Sequence, residues 1–532
     1  MNSDCATETG TLCIAGACTP GNCTADAQCA TGQICGLSTP YFCGGCTSDA
    51  QCQADTTTYG STYVCNTTSN TCVLDTCTSA VSGMKSVQCT TNPSDVCCAN
   101  TCVPGSCCAA SDCTGSLGNS ATCVNHTCTT CNAVGASKIY LVDPLNGSDA
   151  TATGSGTAGS PAVAVATCAF KTITRALEAI GPSPAAGTII QVLNDATVGT
   201  GETFPIVVTA GVTITGVTTG TTTTTVHVPA NKAGFELAAA NAGLSTLLVD
   251  GTNQTGTTGV VVTAGSAATT TIMGVTVQNM AGDGIDVVKT GIVTLGSGTI
   301  SQTNGTTAVP RSGLRVTGTG QAFINAPAAF NENTEHGIVV LQSGAVTIAG
   351  SATSLVVANA NHIANLYINQ TPVAGMATPQ NSATYFQATN SVTTHGIHLL
   401  GGSTLKLRSS ITGGNKLDGV FVTTSGQGAT KNDSVTGFDL GSVNGVTTSY
   451  GDNTLQYASG GTFNPNGGVG LCLNVTANAA QTLQAAGNTF ELVDCSAATP
   501  AAIKHSATCA GGDDVGVTGV NTTNKIVLSN CN

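Results

Sequence analysis

The sequence predicts an all-β chain: a right-handed parallel β-helix, or solenoid, with one capping helix, preceded by a small disulfide-rich amino-terminal domain. Three observations carry that expectation. Markers recur every 25 to 31 residues through the middle of the chain, 22 of the 27 cysteines fall in residues 1–132, and only 8% of the 532 residues are charged. A period of 20 to 50 residues is the signature of a stacked repeat. A charge content far below the usual quarter excludes a coiled coil.

The cysteine-rich segment, residues 1–132, comes first. Its other residues are mostly Thr, Ser, Ala, Asn and Gly, too few large apolar side chains to offset the entropy of ordering the chain. Cross-links must hold it, and they persist only in an oxidising compartment. Export to the cell surface or medium is therefore expected. Residues 1–30 lack the charged start and apolar core of a signal peptide, so the export signal is expected to have been removed. The segment repeats itself: Cys23-Thr-Ala-Asp-Ala-Gln-Cys29 returns as Cys46-Thr-Ser-Asp-Ala-Gln-Cys52, and more loosely as Cys108-Ala-Ala-Ser-Asp-Cys113. Wider pairs, Cys13 to Cys18, Cys65 to Cys72 and Cys123 to Cys128, enclose turn-like inserts. CxxC pairs at Cys43 to Cys46 and Cys128 to Cys131 raise zinc as a rival, but they stand far apart, unlike the compact spacing of metal sites. Disulfides are expected to involve Cys5, Cys13, Cys18, Cys23, Cys29, Cys35, Cys43, Cys46, Cys52, Cys65 and Cys72, and later Cys472, Cys495, Cys509 and Cys531. The odd total implies a thiol that is free or bonded to another chain. These repeats resemble small Cys-rich repeats of secreted and surface proteins of Gram-negative bacteria with large genomes, which implies a spacer or interaction module.

Residues 133–216 read as a cap and first coil. Lys138-Ile-Tyr-Leu-Val142 starts a strand where cysteine density collapses. Phe170, Ile173, Leu177 and Ile180 fall on one helical face, the only convincing amphipathic helix in the chain. Strands are expected at 188–193, 201–208 and 211–216. This order, with Asp143-Pro-Leu-Asn-Gly-Ser-Asp149 and Phe170-Lys-Thr-Ile173, resembles the amino-terminal cap of bacterial right-handed parallel β-helix proteins, a family that includes a domain of unknown function and some pectate lyases.

Eight or more coils are expected over residues 185–460, with 217–460 as the regular part and 461–532 as final coils and a cysteine-braced cap. Asn recurs at 279, 304, 331, 359, 390 and 415, and Gly followed by an aliphatic residue recurs at Gly284, Gly313, Gly337, Gly396 and Gly419. Short alternating pieces such as Val275-Thr-Val277 and Leu405-Lys-Leu407 supply the strands. Three of them plus turns need about 22 to 30 residues at about 3.3 Å per residue. Inward Val, Ile and Leu would fill a dry core, outward Thr and Ser would suit the pleated surface, and turn Asn residues would stack into amide ladders.

Fourteen Lys plus Arg against 27 Asp plus Glu leave a net charge of −13, with no basic stripe for nucleic acid. No apolar run reaches the roughly 18 residues of a membrane span. Gly282-Asp-Gly-Ile-Asp-Val-Val-Lys289 resembles the Asn-Thr-Asp-Gly-Ile-Asp segment of the polygalacturonases, whose paired aspartates protonate the leaving oxygen and activate water. The sequence departs from that family: no Asp-Asp pair, Gly-His-Gly or Arg-x-Lys follows in later coils, and Asp-Gly before an aliphatic residue also suits a plain corner. A lyase-type site would draw on Asp283, Asp286 and Lys289, with Arg311, Arg315, Glu332 and Glu335 one or two coils away on the same flank. Such chemistry needs clustered carboxylates for calcium and a base of lowered pKa, and most acids here are isolated. Calcium also suits Asp143, Asn146 and Asp149, where an Asx turn is the plainer reading. His395 and His398 are expected at solvent-facing turns, pointing to opposite faces if in a strand. With no Trp and 4% aromatics, among them Tyr367 and Phe421 in the coils, an aromatic sugar platform is not expected.

These readings favour an exported, non-enzymatic surface protein, structural or adhesive, whose solenoid ends stack into fibres. The alternatives are a polysaccharide lyase or glycosidase acting on uronate-containing glycans, and a passive glycan binder. The partners implied are further copies of the chain or a surface polysaccharide, with no nucleic acid.

Overall fold

A computed structural model describes most of residues 10–74, four hairpin strands between 95 and 130, most of 139–150 and of 169–494, and short stretches of 505–529. The chain divides into two compact units, Met1–Gly135 with Ala150–Ala169, and Ala136–Asp149 with Phe170–Asn532.

The first unit is built of two-stranded antiparallel hairpins, among them Thr11–Ile14 with Ala17–Pro20 and Tyr63–Asn66 with Thr71–Leu74. Its sequence repeat is a pairing repeat. Cys23 bonds Cys35 and Cys29 bonds Cys43; likewise Cys46 bonds Cys65 and Cys52 bonds Cys72. In both copies the first cysteine of the short pair takes the first of the wide pair, and the second takes the second. The repeated Gln serves the same end twice, Gln28 Oε1 accepting from Thr24 N–H and Gln51 Oε1 from Thr47 N–H. Cys46, Cys52, Cys65 and Cys72 are themselves most of the core, with Ile34. The thiols are therefore oxidised, and thiolate coordination of zinc is unavailable to them. Cys18 is also disulfide-bonded, whereas Cys5, Cys495 and Cys531 lie outside the described residues.

The second unit is a parallel β-helix: three long sheets of 14, 12 and 11 strands, in which nearly every strand pairs in parallel with its equivalent one coil away and the exceptions are the antiparallel strands Thr447–Ser449 and Val493–Asp494. Burial alternates as the composition requires. In the strand Ile285–Val287 the two aliphatic side chains are fully buried and Asp286 points outward. At the amino-terminal end the helix Ile173–Ile180 buries Ile173, Ala176 and Leu177. Thr172 Oγ1 accepts the N–H of Arg175, and the Glu202 carboxylate accepts those of Ile173 and Thr174, satisfying donors that the helix leaves open. At the other end, Thr489–Phe490 is closed by the antiparallel strand Val493–Asp494, and His505–Ser506 flanks Val515–Thr518. No helix of the described residues is long and apolar enough to cross a membrane. The disulfides suit an extracellular or periplasmic protein.

The Asn ladder exists, and of the series with 25-to-31-residue steps Asn304 and Asn415 belong to it while the other four do not. Asn304, Asn333 and Asn361 are buried and linked amide to amide at 2.9–3.0 Å, and Asn415 continues to Asn466 at 2.9 Å. Asn279 and Asn390 instead hold left-handed turns, with φ of 57° and 55°, and Asn331 and Asn359 end strands. The ladder explains the Gly-aliphatic marker. A Cβ on Gly313 would come within 2.7 Å of Asn333 Nδ2 and 2.8 Å of the Gly337 carbonyl, and one on Gly419 would meet Asn466 and Gly470 similarly. One coil breaks the glycine rule at Asn365, whose amide joins the ladder itself, accepting from Asn361 at 2.7 Å.

Candidate active site

Parallel pairing places outward side chains in straight rows. On the 12-stranded sheet the row runs Glu236, Val261, Asp286, Arg315, Val339, Tyr367, His398, Phe421, Cys472. At about 4.8 Å per coil, Asp286 to Phe421 spans about 24 Å. Beside it runs a corner column, the residue before each Gly-aliphatic marker: Asp283, Ser312, His336, Ala364, His395, Asp418. Its side chains accept the next coil's backbone. Asp283 Oδ1 takes the N–H of Ser312 at 2.9 Å, His336 Nδ1 that of Ala364 at 3.2 Å, and Asp418 Oδ1 that of Val469 at 2.9 Å. A third, flanking column holds Arg311, Glu335, Ile363, Thr394 and Leu417, tied by contacts such as Glu335 N–H to the Arg311 carbonyl and Ile363 N–H to that of Glu335.

The three columns bring most of the sequence-derived candidates together. A cleft of about 310 Å³ is lined by Thr257, Thr258, Asp283, Asp286, Arg311 and Arg315, among others. Arg315 Nη1 lies 3.5 Å from Asp283 Oδ2, and the Ser312 hydroxyl donates to Glu335 Oε2 at 3.2 Å. Burial pushes the Asp286 carboxyl up to about 6, with Asp283 adding to the rise and Arg315 and Arg311 opposing it. Burial likewise raises Glu335, its bond from Ser312 working the other way. Asp286 Oδ1 and Arg315 Nε are buried without a hydrogen-bond partner among the described residues, which leaves two side chains of the cleft lining incompletely satisfied. Lys289 is not part of the cleft lining: it is exposed at a turn with φ 56°. Glu332 is likewise exposed at a turn. Asp286 and Arg315 come together because they are register partners on neighbouring coils. Farther along the coils, Arg408 pairs with Asp439 at 2.7 Å.

A divalent cation finds little room among these groups. Asp283 is already committed to a backbone N–H and a guanidinium. At the other candidate, Asp149 accepts from Lys171, Thr172 N–H and the Thr172 hydroxyl, and Asp143 Oδ1 accepts from Leu145 N–H, as in an Asx turn. Asn146 lies outside the described residues. Among the described residues, the groups close enough to share an ion are cysteines that are already in disulfides.

Farther along the row the sequence reading needs correcting twice. His336 and His395 are buried, at 6% exposure each, and are not solvent-facing. His395 and His398 do not diverge: their ring centroids are 5.4 Å apart, because His395 sits at the corner before the strand Ile397–Leu400, outside its alternation. An aromatic strip also exists. Tyr367 lies flat on His336, centroids 4.7 Å apart and planes 7° apart, and Phe421 lies on His395 at 4.2 Å and 20°. His398 bridges them, 5.1 Å from Tyr367 and 5.0 Å from Phe421. Burial lowers His336 to about 4 and His398 to about 3, so these imidazoles are neutral near pH 7.

No protein-family model matches the chain, nor does any curated protein. Solved structures similar to it include a pectate lyase, Pel9A (12% identity, TM-score 0.36, 74% of this chain and 78% of that one). Two others are the A-module of the Azotobacter vinelandii mannuronan C-5 epimerase AlgE6 (15%, 0.36, 64% and 87%) and the periplasmic alginate epimerase AlgG (10%, 0.21, 64% and 60%). These are parallel β-helix proteins, and at such scores the likeness says nothing about activity.

Proposed function

We propose that the charged end of this face is the active site of an exported enzyme acting on an acidic polysaccharide, by β-elimination at a uronate. The observation that carries the reading is the gathering of two guanidiniums and three carboxylates on one flank of a chain that is otherwise almost without charge. Arg311 and Arg315 suit a uronate carboxylate, which a guanidinium fork meets in two parallel hydrogen bonds. Asp286, held near 6, is a base poised close to neutral pH. It takes the proton α to the carboxylate. The electron pair forms the C4–C5 double bond, the C4–O bond breaks, and the leaving oxygen takes a proton from water. The guanidiniums stabilise the charge that builds on the carboxylate in between. The scaffold or adhesive reading rested on scattered acids, and fibre growth on uncovered solenoid ends. The convergence at the cleft and the helix and closing strands at the ends weigh against both.

The test is incubation with a panel of uronate-containing glycans, with and without a calcium chelator, following the ultraviolet absorbance of the unsaturated product. Turnover lost in Asp286→Asn and Arg315→Gln supports the reading. Binding without turnover, lost in Arg315→Gln, would favour the passive glycan binder. Neither binding nor turnover across the panel would return the protein to a structural role.

A further inference from the structure

The face is densely charged at one end and carries a single, buried carboxylate at the other, and this division bears on what lies in it. From Asp283 to Glu335 the three columns carry Asp283, Asp286, Arg311, Arg315 and Glu335. In the next three coils they carry Ile363, Thr394 and Leu417 on the flank, and Tyr367, His398 and Phe421 in the row. The corner there adds one carboxylate, Asp418, which caps Val469 N–H and lies 3.1 Å from His395 Nδ1. The described cation nearest in sequence, Lys416, stands outside all three columns and is exposed. A polymer with a carboxylate on every ring would find no guanidinium along these columns to pair with, and the buried Asp418 adds only charge of like sign behind them.

The strip is also built in duplicate. A buried corner histidine backs the outward aromatic ring of the following coil twice: His336 behind Tyr367, and His395 behind Phe421. The backbone sets this geometry. His336 Nδ1 accepts Ala364 N–H and His395 Nδ1 lies 3.3 Å from Asp418 N–H, each the corner residue of the next coil, which draws the ring towards that coil's aromatic. Tyr367, His398 and Phe421 remain partly exposed, a row of aromatic rings in line with the cleft whose planes are inclined to one another, His398 at 77° to Tyr367 and 50° to Phe421.

We propose that Tyr367, His398 and Phe421 form a stacking platform for uncharged sugar rings, so that the ligand of this face is a mixed glycan in which uronates are spaced by uncharged residues, and not a homopolyuronate. The inference rests on the reading of the Arg311 and Arg315 cleft as a uronate site, and its test separates the two. Wild type, Tyr367→Ala, Tyr367→Phe, Phe421→Ala and Arg315→Gln are titrated calorimetrically with three probes: a homogalacturonate oligomer, its methyl-esterified form, and an alternating galacturonate–rhamnose oligomer of equal length. The alternating oligomer is expected to bind about tenfold tighter than the homogalacturonate. Each alanine variant weakens it roughly two- to tenfold, the range of one lost stacking contact, and Tyr367→Phe retains it. The esterified probe tells whether the strip needs a neutral sugar or only a masked charge. Homogalacturonate binding tightest, or alanine variants without effect on any probe, would overturn the platform. If Arg315→Gln leaves binding unchanged while Tyr367→Ala weakens it, the uronate reading falls and the platform stands.

Discussion

Replacing Asp286 by Asn is expected to make the protein more stable near neutral pH while abolishing turnover. The Asp286 carboxyl is raised from 3.8 to about 6, chiefly by burial. At 1.36 kcal/mol per unit, a rise of about two units means that ionising it in the fold costs at most about 3 kcal/mol. The side chain keeps partial contact with water, and screening reduces the figure to about 1–2 kcal/mol. Because the folded pKa lies above the unfolded one, the native state binds the extra proton between about pH 4 and 6. Stability is therefore greatest below that window, falls as pH rises through it, and is flat above. Asn imitates the protonated acid throughout. Denaturant unfolding followed by circular dichroism should show Asp286→Asn more stable than wild type by about 1–2 kcal/mol at about pH 8 and equal to it below about pH 4. A variant less stable than wild type at the higher pH would refute the reasoning. It would mean that attraction to Arg311 and Arg315 outweighs burial, making Asp286 half of a structural ion pair and no base.

The histidines act in the opposite sense. His336, lowered by burial to about 4, leaves the unfolded chain as the better proton binder. Stability is full above about pH 6.5 and is lost as pH falls towards 4, by about 3 kcal/mol at most. His336→Gln, which keeps an acceptor for Ala364 N–H, should flatten that limb in an unfolding series against pH. Asn361→Ala removes the acceptor of Asn333 and the donor to the Phe330 carbonyl. With buried groups left unpaired it should cost about 3 kcal/mol, read as a lower denaturation midpoint at unchanged slope. Reducing Cys472–Cys509, which closes 37 residues of chain, or replacing both by Ser, should destabilise the final coils by about 4 kcal/mol on the chain-entropy account, measured as earlier proteolysis of residues 472–532.

The coil architecture was legible because both of its markers have a backbone cause. Glycine precedes the aliphatic residue where the ladder amide and a neighbouring carbonyl leave no room for a Cβ. The site was legible only in part. Asp283, Asp286, Arg311, Arg315 and Glu335 were found by local charge density, but their convergence depends on register. Register is obscured by turns of unequal length: Gly284 to Gly313 is 29 residues and Gly313 to Gly337 only 24, the longer step carrying the turn that contains Arg311. Counting Asn at near-equal steps therefore mixed three columns. Aligning coils on the Gly-aliphatic marker would have put Asp286, Arg315, Val339, His398 and Phe421 in one row, and Asp283, Ser312, His336, His395 and Asp418 in another. Tyr367 would have been missed even then, since its coil carries Asn365 where the marker requires Gly. The strand rule failed for His395 because that residue precedes its strand.

Scarcity of charge, taken from composition alone, pointed to an inert scaffold, yet it suits a reaction site equally well once the scaffold is specified. A β-helix satisfies its backbone coil on coil and its corners through the amide ladder, so it needs few ion pairs for stability, and those present elsewhere are local, such as Arg175 with Glu178 and Arg408 with Asp439. Carboxylates and guanidiniums gathered in a cleft then interact through a poorly polarisable surround, where each charge shifts its neighbours more than it would on an ordinary surface. The rungs also fix the axial spacing of every outward group at the strand separation. Asp286 and Arg315 are held one coil apart by hydrogen bonds that involve neither side chain, which is the preorganisation that electrostatic catalysis requires. A scaffold function would call for this order too, but gives no reason for a buried carboxylate oxygen without a hydrogen-bond partner among the described residues, on a side chain that lines a cleft with two guanidiniums.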